Sequence, residues 1–332
     1  MSFKFLARRG AWRWAWIAAL AGSALLASCG GGQITLFHPT RVLAFGDEMS
    51  TLEPDGRKYS INGFKQITAP DGTVTDDPTT LDCTRNPTWV QIVATSFGLA
   101  FDRCLGTATG ASGQVLAQVG HKVADFAAQV AAVQGNVLGE ADLALVMFGQ
   151  NDILELYGQY PTLSAAVLLA QAQVRGTALG QQINQLALRG PAVVVVTTPD
   201  IGLSPFAAAQ NISTGDPTRS ALLSALVEKF NNSMSVALIN DGHLIGLAYG
   251  DLEMQNNFKF PTVYGLLNVD TPACLDTAPL PACTTATLTT AAITGTAATA
   301  TTWLWADSTR PSPFFQSRLG LLAGGRAHSN PF

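Results

Sequence analysis

The chain contains three short runs of consecutive apolar residues, and each run ends at a turn-forming residue. The runs are residues 41–45, 143–148 and 192–198. They do not alternate between apolar and polar positions, which is the pattern of strands that are covered on both faces. The runs therefore predict strands of a parallel sheet. The turn residues that follow them are Gly46, Gly149 and Pro199.

Elsewhere the apolar residues recur every three to four positions, which is the period of an amphipathic helix. The segments with this period are residues 115–133, 162–188 and 218–238. Alternating strands and helices predict an α/β domain of three layers, α/β/α, with a central and mostly parallel sheet. We expect it to span residues 41–327 without an internal linker. Residues 284–302, rich in Thr and Ala, are predicted to form a surface loop or a peripheral hairpin.

Residues 1–28 have the organisation of an export signal. Basic residues come first, and residues 14–27 form an apolar stretch shorter than the roughly 20 residues of a membrane-spanning helix. The stretch ends in Leu-Ala-Ser-Cys, which resembles the bacterial lipobox. We therefore expect Cys29 to carry a lipid, residues 29–40 to form a tether, and Gly30 to direct the protein to outer-membrane lipid. An ordinary signal peptide with a coincidental Cys is the alternative.

The net charge disfavours one class of function. The chain carries 19 basic and 23 acidic residues, and cleavage after residue 28 removes four cations, which leaves 15 and a formal charge of −8. Nucleic-acid binding needs a basic face. We therefore expect no nucleic-acid partner, and no feature of the sequence calls for a cofactor.

Four cysteines follow Cys29, an even number that predicts two disulfides in an oxidising compartment. Sequence order favours the pairs Cys83–Cys104 and Cys274–Cys283, each of which closes a short loop, while the two other pairings stay open. A zinc site is disfavoured because the chain has no CxxC pair with a nearby His, so no metal is expected.

Polar segments follow the three predicted strands. They are Gly46-Asp47-Glu48-Met49-Ser50, Gly149-Gln150-Asn151-Asp152 and Thr198-Pro199-Asp200. In open parallel sheets, catalytic and ligand-binding groups collect at the carboxyl ends of the strands. We therefore expect the three segments to face one cleft.

Five segments of the chain resemble the SGNH/GDSL hydrolases, a family of lipases and esterases, and in particular its autotransporter-esterase subgroup. The segments are residues 45–50, 149–152, 198–205, 264–274 and 305–311, in the order of the family. The resemblance covers roughly residues 40–325. It implies the SGNH-hydrolase fold, which is flavodoxin-like.

Several residues match the positions that the resemblance assigns to the family's site. Asp47 and Asp307 match, as does Asn151, which implies a donor to the oxyanion. Gly149 and Asp152 belong to the same block as Asn151. For the glycine donor of the oxyanion hole we predict Gly106, with Gly110 as the rival.

Two positions depart from the family. Glu48 stands at the position of the nucleophilic Ser, and Arg310 stands at the position of the His base. Arg310 stays protonated at biological pH and cannot act as a general base, and acylation of Glu48 would give an unstable anhydride. We therefore expect esterase activity near zero and a degenerate domain that binds an acyl or acetylated-glycan ligand. We further expect Glu48 and Arg310 to form an ion pair, with Asp307 as a second partner of Arg310.

Other interpretations stay open at this point. Both charged side chains could point to solvent. The domain could instead remain an active hydrolase, with Glu48 as a base that activates water or with Ser50 as the nucleophile. A replacement base would have to come from the histidines of the chain, which are His38, His121, His243 and His328.

Overall fold

A sheet of five parallel strands forms the centre of the structure, in the order β4-β1-β5-β6-β7. Its strands are β1 (Arg41–Gly46), β4 (Gly113–Val115), β5 (Asp142–Met147), β6 (Ala192–Val196) and β7 (Ile245–Ala248). The three predicted strands are β1, β5 and β6, so the predicted α/β class and the parallel sheet are confirmed. This is a computed structural model, and it describes residues 37–290 and 295–329. The predicted export signal and Cys29 lie outside these residues.

Successive residues of the central strands pack into opposite layers, which explains why the runs are apolar throughout. One layer buries Phe45, Val146 and Val195. The other layer buries Ala44, Leu145 and Val194. Both faces of the sheet are therefore covered, as in other parallel sheets.

Helices cover both faces of the sheet. They are α1 (Trp89–Ser96), α2 (Phe126–Ala131), α3 (Gln150–Tyr157), α4 (Ala165–Ala187), α5 (Pro205–Thr214), α6 (Arg219–Ala237), α7 (Gly250–Lys259) and α8 (Pro313–His328). Leu179 of α4 and Phe230 of α6 pack into one core. Trp89 of α1 and Phe315 of α8 pack into the other. The predicted helices over 162–188 and 218–238 correspond to α4 and α6.

The predicted helix over residues 115–133 is wrong. This segment contains the end of β4, an extended loop, a single 3₁₀ turn (Val123–Asp125) and the short helix α2. The amides of Leu116 and Ala117 donate to the carbonyl oxygen of Ala44, so the loop pairs with the end of β1. These tertiary hydrogen bonds outweigh the helical period of the side chains.

Smaller elements lie outside the central sheet. An antiparallel hairpin joins β2 (Gly63–Thr68) to β3 (Val74–Asp82), and β8 (Asn268–Pro272) pairs with β9 (Trp303–Trp305). The described part of residues 284–302 has no helix or strand, which agrees with the predicted loop or hairpin. It forms isolated bridges only: an antiparallel one between Thr290 and Ala297, and one each from Thr284 to Asn62 and from Leu288 to Cys274. Among the described residues, no helix is long and apolar enough to cross a membrane.

Two disulfides fasten these peripheral segments, and they are the pairs that sequence order favours. Cys83 and Cys104 are joined, with Cα atoms 5.7 Å apart, and Cys274 and Cys283 are joined, with Cα atoms 5.9 Å apart. Both Cα separations lie in the usual range for disulfides.

Candidate functional site

A tight turn at the end of β1 brings Glu48 to the carboxyl edge of the sheet. Gly46 has a φ of 147°, and a Cβ atom at this position would overlap the carbonyl oxygen of Met147 on the neighbouring strand β5. Only glycine fits such a close approach with a positive φ. Glu48 follows two residues later, and its side chain is fully buried.

Three donors surround the carboxylate of Glu48. Its Oε2 atom accepts hydrogen bonds from the backbone amide of Gly120 at 3.0 Å and from Nδ2 of Asn151 at 2.8 Å. Its Oε1 atom accepts a hydrogen bond from Nη2 of Arg310 at 2.7 Å. The structure therefore contains the expected ion pair between Glu48 and Arg310.

Asp307 holds the turn that carries Arg310. Its Oδ1 atom accepts hydrogen bonds from the backbone amides of Thr309 and Arg310, at 2.8 and 2.6 Å. Its Oδ2 atom accepts a hydrogen bond from Nη1 of Arg310 at 3.0 Å. Arg310 thus has two carboxylate partners, and its guanidinium lies 5.8 Å from the ring centre of Tyr59.

The residues on either side of Tyr59 fix its position. Lys58 is fully buried, and its Nζ atom donates to the carbonyl oxygens of Cys83 and Arg85 at 2.9 and 2.6 Å. Ser60 donates from Oγ to the carbonyl oxygen of Pro311 at 3.2 Å. The segment that carries Tyr59 is therefore tied both to a disulfide and to the turn of Arg310.

Burial and charge set the ionisation of the site. Burial alone would raise the pKa of Glu48, but the charge of Arg310 and the hydrogen bonds from Asn151 and Gly120 outweigh it and lower this pKa. Desolvation would lower the pKa of Arg310, but Asp307 and Glu48 raise it. Glu48 is therefore an anion and Arg310 a cation at neutral pH. The pKa of Asp47 is raised well above its ordinary value, first by burial and then by the charge of Glu48.

The structure does not bring Gly106 to this site. Gly106 is exposed in the loop after Cys104, beside Thr84, and the rival Gly110 is exposed as well. The glycine whose amide donates to Glu48 is Gly120. It lies in the loop for which the helical period of the side chains wrongly predicted a helix. An isolated glycine inside an apparent helix was the signal that could have identified it.

Contacts of residues 149–152, at the start of α3, fix the position of the donor Asn151. Gly149 precedes α3 with a φ of 133°, and a Cβ atom there would overlap Thr198. Asp152 accepts a hydrogen bond at Oδ2 from the amide of Val123 at 3.0 Å, and its Oδ1 lies 3.2 Å from Nη1 of Arg175. These contacts hold α3, which carries Asn151, against the loop that carries Gly120.

Neither Ser50 nor most of the histidines are placed for catalysis. Ser50 is fully buried, and its Oγ atom accepts a hydrogen bond from Nε1 of Trp89 at 3.1 Å. His328 stacks on Phe97 at the end of α8, and His243 lies in an exposed turn. His38 is exposed just ahead of β1, at the opposite end of this strand from Glu48.

His121 is closer to the site than sequence reasoning indicated. It follows Gly120 directly, and its carbonyl oxygen accepts a hydrogen bond from Nδ2 of Asn151 at 3.2 Å. Its Nδ1 atom lies 2.9 Å from Nε2 of Gln129. Gln129 also bonds both the amide and the carbonyl of Gly46, at 2.9 and 2.8 Å. His121 and Gln129 therefore link the glycine loop to the turn after β1.

The third strand end contributes to the scaffold. Thr198 donates from Oγ1 to the carbonyl oxygen of Phe148 at 2.6 Å. Asp200 accepts hydrogen bonds from the amide of Gly202 and from Oγ of Ser224 at 3.0 and 2.8 Å. These groups fix the loop after β6 to the helices behind it.

The donors around Glu48 form an anion-binding site that the carboxylate of Glu48 itself occupies. The Gly120 amide and the Asn151 side chain converge as oxyanion-hole donors do, but the carboxylate of Glu48 already accepts from both. Within the part of the chain that the structure describes, no group of three or more His, Cys, Asp or Glu residues could hold a metal ion.

Comparisons with known proteins give only distant likeness. No family model and no curated protein matches the chain. A single-residue variant of an acetyl xylan esterase from Geobacillus stearothermophilus is 14% identical, with a TM-score of 0.39, over 88% of this chain and 96% of the esterase. A lipase/acylhydrolase from Enterococcus faecalis is 14% identical, with a TM-score of 0.38, over 87% of this chain and 95% of the other. Likeness of this degree assigns no activity to the chain.

Proposed function

We propose that this protein is an exported lipoprotein whose SGNH/GDSL-like domain does not hydrolyse esters and serves in binding. The observation that carries the proposal is the ion pair of Glu48 with Arg310, at the two positions where a hydrolase needs its nucleophile and its base. The proposal also rests on the sequence resemblance, which supplies those two positions.

The ion pair is incompatible with triad chemistry. Acyl transfer needs an attacking hydroxyl and a base that takes its proton, and the loss of one such group costs on the order of 10⁴ to 10⁶ in kcat. The Arg310 guanidinium has no lone pair for a proton. The Glu48 carboxylate also fills the space that a substrate oxyanion would need between Gly120 and Asn151.

The two replacements compensate for each other. A buried Glu without a cation, or a buried Arg without an anion, carries a large desolvation penalty, whereas a paired and hydrogen-bonded charge is tolerated. Glu48 is fully buried, and the side chain of Arg310 is 24% exposed. Loss of Arg310 alone would therefore leave Glu48 buried without its cation, whereas loss of Glu48 alone would leave Arg310 with Asp307 as its partner.

The same contacts disfavour the alternative of an active hydrolase with unusual groups. A general base that activates water must reach that water, but the side chain of Glu48 is fully buried and its carboxylate is engaged by Gly120, Asn151 and Arg310. Its lowered pKa also weakens it as a base. Ser50 is fully buried, and its Oγ atom accepts a hydrogen bond from Trp89 rather than donating one to a base among the described residues.

Export and membrane attachment belong to the proposal as well. The lipobox-like sequence around Cys29 supports an acyl anchor in the outer membrane, and the two disulfides are compatible with an oxidising compartment. The ligand of the cleft is proposed to be an acyl or acetylated-glycan group, bound at the outer side of Arg310 and Asp307.

The experiment is the hydrolysis of p-nitrophenyl acetate by purified residues 30–332. The wild type is compared with Glu48→Ser/Arg310→His and with each single substitution. We expect an inert wild type and a gain of turnover in the double variant alone, because Asp307 already orients residue 310. Turnover by the wild type that Glu48→Ala abolishes would contradict the proposal and identify Glu48 as a catalytic residue.

A further inference from the structure

A cavity of about 1050 Å³ lies beside α1 and the disulfide Cys83–Cys104. None of the residues that line it belongs to the Glu48 ion-pair network. Its apolar wall consists of Leu81, Ile92, Ala94, Leu99, Phe101 and Leu105. The volume is at the upper end of the range of about 300–1,000 Å³ for small-molecule sites, which are mostly apolar inside.

The walls of this groove are held in place. The disulfide joins the end of β3 to the loop after Phe101, so two opposite walls are covalently linked. Phe101 is buried and pairs with Gly113 at the start of the edge strand β4. A groove that is fixed in this way costs little conformational entropy when it binds a ligand.

The rim of the groove carries polar groups suited to an anionic head. Lys65 of β2 stands at the rim, and Thr95 and Thr107 add hydroxyl groups. Two acidic residues lie nearby, Asp82 in the lining and Asp77 opposite Lys65 on β3. Oδ1 of Asp82 accepts from the amide and hydroxyl of Thr84 at 2.8 and 2.7 Å, and Oδ1 of Asp77 accepts from the amide and hydroxyl of Thr79 at 3.0 and 2.6 Å. An apolar interior with a lysine at its mouth fits an amphiphile with one long chain and an anionic group.

The described chain begins at the edge of this groove. The ring of Phe37 packs on that of Phe97, with centroids 6.4 Å apart, and the neighbours of Phe97 on both sides, Ser96 and Gly98, line the groove. Cys29 lies eight residues before Phe37, which an extended chain spans in at most about 28 Å. If Cys29 is acylated, as proposed above, the groove is held within that distance of a lipid surface.

We infer that this groove binds the acyl chain of a membrane phospholipid, with the phosphate near Lys65. The apolar wall takes the chain, and the short tether brings the mouth to the bilayer. The inference relies on the proposed lipid anchor only for the source of the ligand. It does not depend on whether the Glu48 site hydrolyses esters.

The test uses purified residues 30–332, which include all the residues that the structure describes. The probe is 11-(dansylamino)undecanoic acid, followed by its fluorescence. We expect saturable binding and displacement by lysophosphatidylglycerol below its micellar concentration. Leu105→Asp, which places a charge on the apolar wall, should weaken binding at least tenfold. Lys65→Glu should weaken displacement by lysophosphatidylglycerol more than displacement by lysophosphatidylcholine.

Two matched controls locate the site. Leu188→Asp changes a leucine that is 68% exposed outside the groove and should leave the affinity unchanged. Leu267→Asp, at a second leucine outside the groove that is 64% exposed, should also leave the affinity unchanged. The absence of saturable binding, or equal affinity in Leu105→Asp, would overturn the inference. Loss of binding in either control variant would place the probe outside the groove and would equally overturn it.

Discussion

Glu48 and Arg310 are separated by 262 positions in the sequence, yet Oε1 of Glu48 lies 2.7 Å from Nη2 of Arg310 at the carboxyl end of the central sheet. Glu48 is fully buried and depends on Arg310 for its charge partner, whereas Arg310 also pairs with Asp307. This dependence leads to predictions that can be measured by unfolding, independently of any ligand.

The first prediction concerns the energetic coupling of the pair. Arg310→Met leaves the Glu48 carboxylate buried without its cation and should lower the free energy of unfolding by about 3–5 kcal/mol. Glu48→Gln/Arg310→Met should cost less than the sum of the two single variants, because the second change removes the unpaired charge. Urea unfolding of all four proteins measures the coupling.

An exposed ion pair supplies the control for this cycle. Arg57 pairs with Asp55 at 2.7 Å, but their side chains are 39% and 54% exposed. Arg57→Met should cost less than about 1 kcal/mol. If Arg310→Met costs no more than Arg57→Met, the Glu48 pair is not the buried interaction described above.

The second prediction concerns Asp47 and pH. Its pKa is raised in the folded protein, so the folded state binds more protons than the unfolded state above the ordinary Asp pKa. Stability should therefore fall as the pH rises from that value through the folded pKa. Asp47→Asn should remove this decline, which unfolding curves between pH 4 and pH 7.5 would detect. An identical pH dependence in both proteins would contradict the raised pKa of Asp47.

The third prediction concerns Lys58, whose pKa burial lowers from 10.5 to about 8. Between these values the unfolded chain holds a proton that the folded protein has lost. Stability should therefore rise with pH across this window, by up to about 3 kcal/mol from this residue. Unfolding in urea at pH 7.5 and pH 10 measures the rise.

Lys58→Met should show a smaller rise over the same window, because it has no group at this position to titrate. The exposed residue Lys229 provides the matched control, and Lys229→Met should follow the wild type. Equal pH dependence of the wild type and Lys58→Met would show that burial does not lower the pKa of Lys58.

The fourth prediction concerns the turn at Gly46. In Gly46→Ala the new methyl group would overlap the carbonyl oxygen of Met147 and would also require a positive φ. We expect a loss of more than about 2 kcal/mol in the free energy of unfolding. Gly72→Ala shares the positive φ, 85°, but meets no atom within 4 Å, so it should lose only about 1 kcal/mol. Equal losses would mean that close packing at Gly46 contributes nothing.

The sequence alone was sufficient for those features that depend on local burial. The apolar runs of β1, β5 and β6 identified a parallel sheet because each of these strands is buried on both faces. The long helices α4 and α6 followed from their 3.6-residue period. Cysteine order favoured the two disulfides that the structure contains but left the other pairings open.

The ion pair was also within reach of the sequence, because Glu48 and Arg310 stand at two positions that the resemblance brings together. The Gly120 donor was not. It lies 72 positions from Glu48, in a segment whose side chains follow a helical period. The segment is instead a loop, because its amides bond to the end of β1.

The placement of Arg310 over the ring of Tyr59 likewise follows from a contact between distant segments. Side-chain periodicity reports which face of an element is buried, and this is a local property. Hydrogen-bond partners at the sheet edge depend instead on where the folded chain places each backbone amide. Only the tertiary structure determines those positions.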